Sequence, residues 1–205
     1  MRVAVVGGTG PFGTALSTRL REAGFDVVIG SRDADRATSA AAEIGVEGAT
    51  NAEAVVGVDL VVLAVNADAA IDTARSLRKA IGKTPVLSVA SDLRFTPEGV
   101  VLAIDRMSLA ERVQKELRGP VLAGLHSLAA ANLAAAPPDE DAFVCGNDPE
   151  AKKLALELAA GVISGRALDA GPLASARTLE GLTAVIVNLN KRYRAHAGIR
   201  VTGIS

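Results

Sequence analysis

Residues 3–13, Val-Ala-Val-Val-Gly-Gly-Thr-Gly-Pro-Phe-Gly, restrict the folds open to this chain more than any other stretch. The apolar Val3 to Val6 read as a strand, the glycines behind them as a tight turn, and Ala15, Leu16 and Leu20 as one face of a following helix. Within the stretch, Gly8, Thr9, Gly10, Pro11, Phe12 and Gly13 fit the spacing G-x-G-x-x-G. Gly8 is expected to permit the turn, Gly10 to let the backbone approach a pyrophosphate, and Gly13 to let helix pack on strand. A phosphate would then rest on free amides at the positive end of the helix dipole, with no lysine required.

The next strand, Phe25 to Gly30, ends in Ser31-Arg32. An acid at this point binds the ribose 2′-hydroxyl of NAD, whereas a hydroxyl and a guanidinium suit a 2′-phosphate, so NADP is the expected nucleotide. Arg36, four residues past Arg32, shares its helical face and can clamp the same phosphate. Asp33 is the one acid near enough to turn toward a ribose, and Ser31 has an alternative use as a helix cap.

Beyond this point strands and helices alternate. Leu60 to Val65 is a continuous apolar run of the kind that both faces of a parallel sheet bury, and Asn66 to Asp68 would line the crevice at its carboxyl end. Pro85 to Ala90 and Val121 to Leu125 are further strands, Ser91 to Gly99 reads as a polar loop, and Pro137 to Asp141 as an acidic surface loop. Right-handed crossovers then give an α/β fold, a Rossmann-type doubly wound parallel sheet over residues 1–126, with a small α/β C-terminal lobe over residues 127–205. In that lobe the last helix carries Leu179, Leu182, Ile186 and Leu189 in one stripe, with Val185 and Val187 outside it, and the second apolar face suggests a homodimer contact.

Only five residues are aromatic (four Phe, one Tyr) although 49% are hydrophobic, so the core must be built from Ala, Val, Leu and Ile. A net charge of −1 with interspersed signs offers no footprint for nucleic acid or an anionic membrane. The first apolar run is too short for a signal peptide or a spanning helix, which makes a cytoplasmic location the expectation. The lone Cys145 excludes an internal disulfide, no residue cluster has metal-ligand spacing, and no Ser-His-acid set is suggested.

Proton donors are scarce near the strand ends. His126 is the candidate catalytic group, as an acid or as a hydrogen-bonding wall beside a nicotinamide. Hydride passing directly between the rings of two bound cofactors needs alignment and a dry site more than it needs a protein acid. The residues alone leave three readings: such a transfer, a reductase of a small carbonyl or imine with His126 as donor, and a non-catalytic NADP sensor.

The chain resembles the F420-dependent NADP reductases. The resemblance rests on Gly7-Gly8-Thr9-Gly10 with Gly13, Gly30-Ser31-Arg32 with Arg36, Leu125-His126-Ser127, Val144-Cys145-Gly146-Asn147-Asp148, and Asp169-Ala170-Gly171-Pro172-Leu173 through Arg177, Glu180 and Thr183. It implies hydride transfer between NADP and the deazaflavin coenzyme F420 in a homodimer. By the same resemblance Thr9 to Phe12 hold the pyrophosphate, and Ser31, Arg32 and Arg36 the 2′-phosphate. Val65, Asn66, Ala67, Ala90, Ser91, and His126, Ser127, Leu128 and Ala130 would wall the nicotinamide and the deazaflavin, with residues 127–205 completing that pocket. The chain departs from the family pattern where Asn66 and Ala129 replace prolines.

Overall fold

Alternation along the first strand sets up the layers. The computed structural model describes residues 1–204, and in it β1 (Arg2–Val6) sends Ala4 and Val6 into one apolar cluster and Val3 and Val5 into another, on opposite faces of the sheet. The chain continues as α1 (Pro11–Glu22), β2 (Asp26–Ser31), α2 (Ala34–Ile44), β3 (Glu47–Thr50), α3 (Asn51–Ala54), β4 (Leu60–Leu63), α4 (Ala67–Ile81) and β5 (Val86–Ser88). Then come β6 (Leu93–Thr96), β7 (Gly99–Leu102), α5 (Leu109–Glu116), β8 (Val121–Gly124), α6 (Ala130–Ala135), β9 (Ala142–Gly146), α7 (Pro149–Val162), β10 (Ala167–Asp169) and α8 (Ala176–Tyr193).

The main sheet has the order β10-β9-β8-β5-β4-β1-β2-β3. Strand order reverses between β1 and β4, which are parallel neighbours in the register Val3 to Leu60 through Val6 to Leu63, and the crevice above their carboxyl ends is where an open α/β sheet binds its ligand. All four residues of β4 are buried, as its unbroken apolar run requires. Small residues let the helices come close: Ala70 and Ala74 of α4 pack on one face, and Ala15 of α1 with Ala151 and Ala155 of α7 on the other.

The C-terminal lobe adds two strands to the main sheet, and two local expectations differ from what is observed. Strands β9 and β10 run against the rest, with β9 antiparallel to β8. The link between β8 and β9 holds only the six-residue α6, about 9 Å of helix. Residues 91–99, expected to be a polar loop, contribute most of the antiparallel hairpin β6–β7, with Leu93 opposite Leu102. A lone hairpin is marginal in water, and this one is fastened by Asn188 of α8, whose Nδ2 donates to the Val100 carbonyl at 2.7 Å while its Oδ1 accepts from the Val100 amide at 2.8 Å.

The second difference concerns the acidic stretch 137–141. Glu140 and Asp141 are buried there, not exposed. The Asp141 Oδ2 atom pairs with Arg166 Nη2 at 2.6 Å and accepts from the Val201 amide at 2.8 Å, and this guanidinium holds the carboxyl well below the usual carboxylate range. An acid read locally as solvated is thus matched by a base and a chain terminus that only folding brings near.

In α8, Leu179 and Ile186 are buried, whereas Val185 and Leu189 stay exposed beside Tyr193. No helix among the described residues is long and apolar enough to cross a membrane.

Candidate active site

The glycine turn is built differently from the simplest reading of its motif. Gly7, not Gly8, has the positive φ, +78°, and a Cβ there would lie 2.7 Å from Val65 Cγ1. A Cβ on Gly8 would meet Ile29 Cγ2 and the Val5 carbonyl at 2.8 Å, and one on Gly13 would meet the Gly7 carbonyl and Gly8 Cα at 2.7 Å. Gly8 and Gly13 therefore serve packing. Gly10 is different: the one heavy atom near its absent Cβ is the Gly7 oxygen at 3.5 Å, so its open side faces the cleft.

Helix α1 begins at this opening. Its first backbone bond runs from the Thr14 amide to the Gly10 carbonyl at 2.8 Å, which leaves the amides of Phe12 and Gly13 ahead of the ladder, and Gly10 supplies no side-chain cap. Pro11 at the first helical position is exposed and has no amide to satisfy. Free donors and the helix dipole together favour an anion here.

A cleft of about 350 Å³ extends from Gly7, Thr9 and Gly10 to Ser31, Arg32 and Arg36. Both arginines are exposed at its rim, and among the described residues neither guanidinium has an ion-pair or hydrogen-bond partner. Asp33 is committed elsewhere: its Oδ1 accepts from the amides of Asp35 and Arg36 at 3.0 and 3.2 Å, capping α2. Ser31 is buried, and its Oγ accepts from the Asp33 amide at 3.2 Å, leaving its proton to give. A groove of about 580 Å³ continues past Asn51 and Thr73. Asn51 does not stand out in the sequence; the packing of α3 against α4 brings it beside Thr73.

The second half of the site shares Ala64, Val65 and Asn66 with the first and opens into a space of about 290 Å³. Phe12, Ala67, Ala90, Ser91, Leu128 and His126 line it, joined by Leu93 of β6 and Thr183 of α8. Ser127 and Ala130 are not among its walls; Ser127 is buried and donates to the Asp141 carbonyl at 3.1 Å. Leu93 was hidden by the loop reading of its segment. Thr183 lies far along the chain, and its one signal was its place in the most family-like block.

His126 is 5% exposed, and neither ring nitrogen has a hydrogen-bond partner among the described residues. Burial pushes its pKa down to about 4, against a weak opposite effect of the Ala90 backbone, so the ring is neutral near pH 7. The preceding residue, Leu125, is held at φ +64°, a left-handed conformation costing a branched side chain about 1–2 kcal/mol. That turn, closed by the Leu128 amide on the Leu125 carbonyl at 3.0 Å, aims His126 into the cleft. The arrangement offers an anion-ready trough running into a flat, mostly apolar slot with one neutral imidazole.

Residues 2–92 match the family described as NADP oxidoreductase, coenzyme F420-dependent. An F420-dependent NADP reductase of Methanothermobacter thermautotrophicus is 36% identical over all of this chain and 96% of its own length. A second F420-dependent NADP reductase, from Methanocaldococcus jannaschii, is 31% identical over all of this chain and 99% of its own. A crystal structure from Arthrobacter sp. FB24 superposes with a TM-score of 0.83 at 24% identity, 98% of each chain being covered, and so shares the fold. With full-length relatives at this identity and a cleft whose two halves meet at one strand end, the chain belongs to the F420-dependent NADP reductase family.

Proposed function

We propose that this protein moves a hydride between NADP(H) and the deazaflavin F420 at the carboxyl edge of its sheet. The observation that carries the reading is the junction of the two half-sites along Val65, which places an anion-binding trough end to end with an apolar slot. The two cofactors, when bound, supply the hydride donor and acceptor, so the chain has to bind, orient and exclude water. The α1 amides and Gly10 hold a pyrophosphate, while Ser31, Arg32 and Arg36 grip a 2′-phosphate. Val65, Ala90, Leu128 and the neutral His126 ring give the walls, and Ser91 a polar contact.

His126 acts here as a neutral part of the wall. A group titrating at about 4 is a poor store of protons at neutral pH, which weakens the reading of the protein as a carbonyl or imine reductase driven by this histidine. Residues 1–126 form the NADP half and residues 127–205 complete the second pocket through Thr183. The exposed Val185, Leu189 and Tyr193, at i, i+4 and i+8 on one side of α8, support a homodimer contact there. A cytoplasmic location fits the unpaired Cys145.

The test is to mix the protein with NADPH and oxidised F420 and follow the deazaflavin absorbance. Bleaching that requires both is expected; no turnover by material that binds NADP would overturn the reading. Sedimentation at equilibrium, with Val185→Glu as the variant, checks the dimer.

A further inference from the structure

Glu180 lies in α8 one turn before Thr183, is 1% exposed, and is used by no step described so far. Its Oε1 accepts from the Leu109 amide at the start of α5 at 2.7 Å, and the amides of Ala110 and Asp92 also face the carboxyl. Asp92 directly follows Ser91, whose Oγ lies 2.7 Å from Thr183 Oγ1. The Ser91 hydroxyl therefore ties the 91–92 turn to α8 one helical turn beyond Glu180, whose carboxyl the Asp92 amide faces.

We propose that Glu180 is a positioning residue for the second-cofactor pocket, its ionised carboxylate holding the Ser91–Asp92 turn against α8 so that the wall facing F420 has one shape. The inference rests on the reading of that pocket as the F420 half of the site. An ionised carboxylate offers lone pairs to all three amides and meets the positive end of the α5 dipole. Protonation turns one oxygen into a donor and weakens the rest, releasing the turn.

The charged and titratable groups around Glu180 are few. From α5 comes Arg112, which pairs with Asp92 and lies 3.7 Å from Asp105. From β9 comes the Cys145 thiol, which burial raises to about 11 and so keeps neutral. Strands β7 and β8 carry no titratable side chain. Burial raises Glu180 to about 7, against the amides and Arg112 acting the other way, so the carboxylate switches within the physiological range.

The experiment compares the KM for F420 and kcat from about pH 6 to about pH 8 in the wild type and in Glu180→Gln. Subtracting the variant's profile removes the titration of the cofactors themselves. In the wild type the KM for F420 should rise about tenfold on acidification beyond the change seen in the variant, with kcat at saturating F420 moving little. The variant should have a KM for F420 about tenfold above wild type near pH 8, with NADP affinity by calorimetry unchanged. A variant with the wild-type KM and the wild-type profile would overturn the proposal.

Should the variant not fold, carbon-13 spectra of glutamate-labelled wild type with NADP bound decide the matter. One glutamate carboxyl should titrate near neutrality, and saturating F420 should lower its midpoint, because coupling between proton and ligand is reciprocal. A midpoint indifferent to F420, or no such resonance, would sink the idea. Absence of any F420 turnover in the wild type would remove both this proposal and the function on which it rests.

Discussion

The Thr183 hydroxyl donates to the backbone carbonyl of His126 at 2.8 Å, joining the last helix to the strained turn that follows β8. Because the Thr183 proton is spent there, Ser91 must be the donor in the 2.7 Å contact between the two hydroxyls. Ser91 keeps lone pairs toward the cleft, and the imidazole of His126 is held from behind by its own main chain.

Removing that hydroxyl with Thr183→Val should leave the His126 carbonyl and the Ser91 hydroxyl short of a partner, at a cost of about 1–3 kcal/mol. The expected result is a rise in KM for F420 with little change in NADP affinity, read by steady-state kinetics and calorimetry. Equal losses for both cofactors would show that the contact supports the whole fold instead.

Arg32 has no partner of its own among the described residues, so truncating it removes a ligand contact and nothing internal. Arg32→Ala should weaken NADP by about 1.5–3 kcal/mol and leave NAD nearly untouched, because only the former carries the 2′-phosphate. Calorimetry with both nucleotides checks this, and a common loss would contradict the assignment of the 2′-phosphate site.

The glycines separate packing from binding. Gly13→Ala puts a methyl group 2.7 Å from backbone on two sides, so α1 must move and thermal stability should fall by about 1–3 kcal/mol. Gly10→Ala has room in the protein, its nearest atom being at 3.5 Å, and should melt like the wild type while binding NADP more weakly. Melting curves taken with and without NADP distinguish the two substitutions.

Acid should destabilise the fold through His126. The folded pKa of about 4 lies below the ordinary 6.5, so the unfolded chain binds the extra proton more readily. The stabilisation from keeping this ring neutral is full above about pH 6.5 and falls by about 3 kcal/mol as pH drops to 4. His126→Leu should flatten that part of the urea-unfolding profile; an unchanged slope would mean that the ring is not buried in solution.

Much of the nucleotide half is set by neighbouring residues. Val3 to Gly13 make strand, turn and helix from within one stretch, and Ser31 and Arg32 sit where β2 ends, so the elements that frame the trough follow from a local pattern. The unbroken run at Leu60 to Leu63 likewise fixes β4 as a doubly covered strand. Each of these elements is specified within its own short segment. Other features need partners far away in the chain. Gly7 takes the turn and Gly8 the packing because of where Val65 and Ile29 end up. The 93–102 hairpin exists against Asn188, and buried Asp141 against Arg166 and Val201. Thr183 and Glu180 meet Ser91 and Asp92 across some ninety residues, a distance that periodicity cannot see. The sequence by itself determined the dinucleotide trough, since local backbone geometry and charge suffice for it; the second pocket was decided by tertiary structure, since its polar groups converge only once α8 closes over the sheet edge.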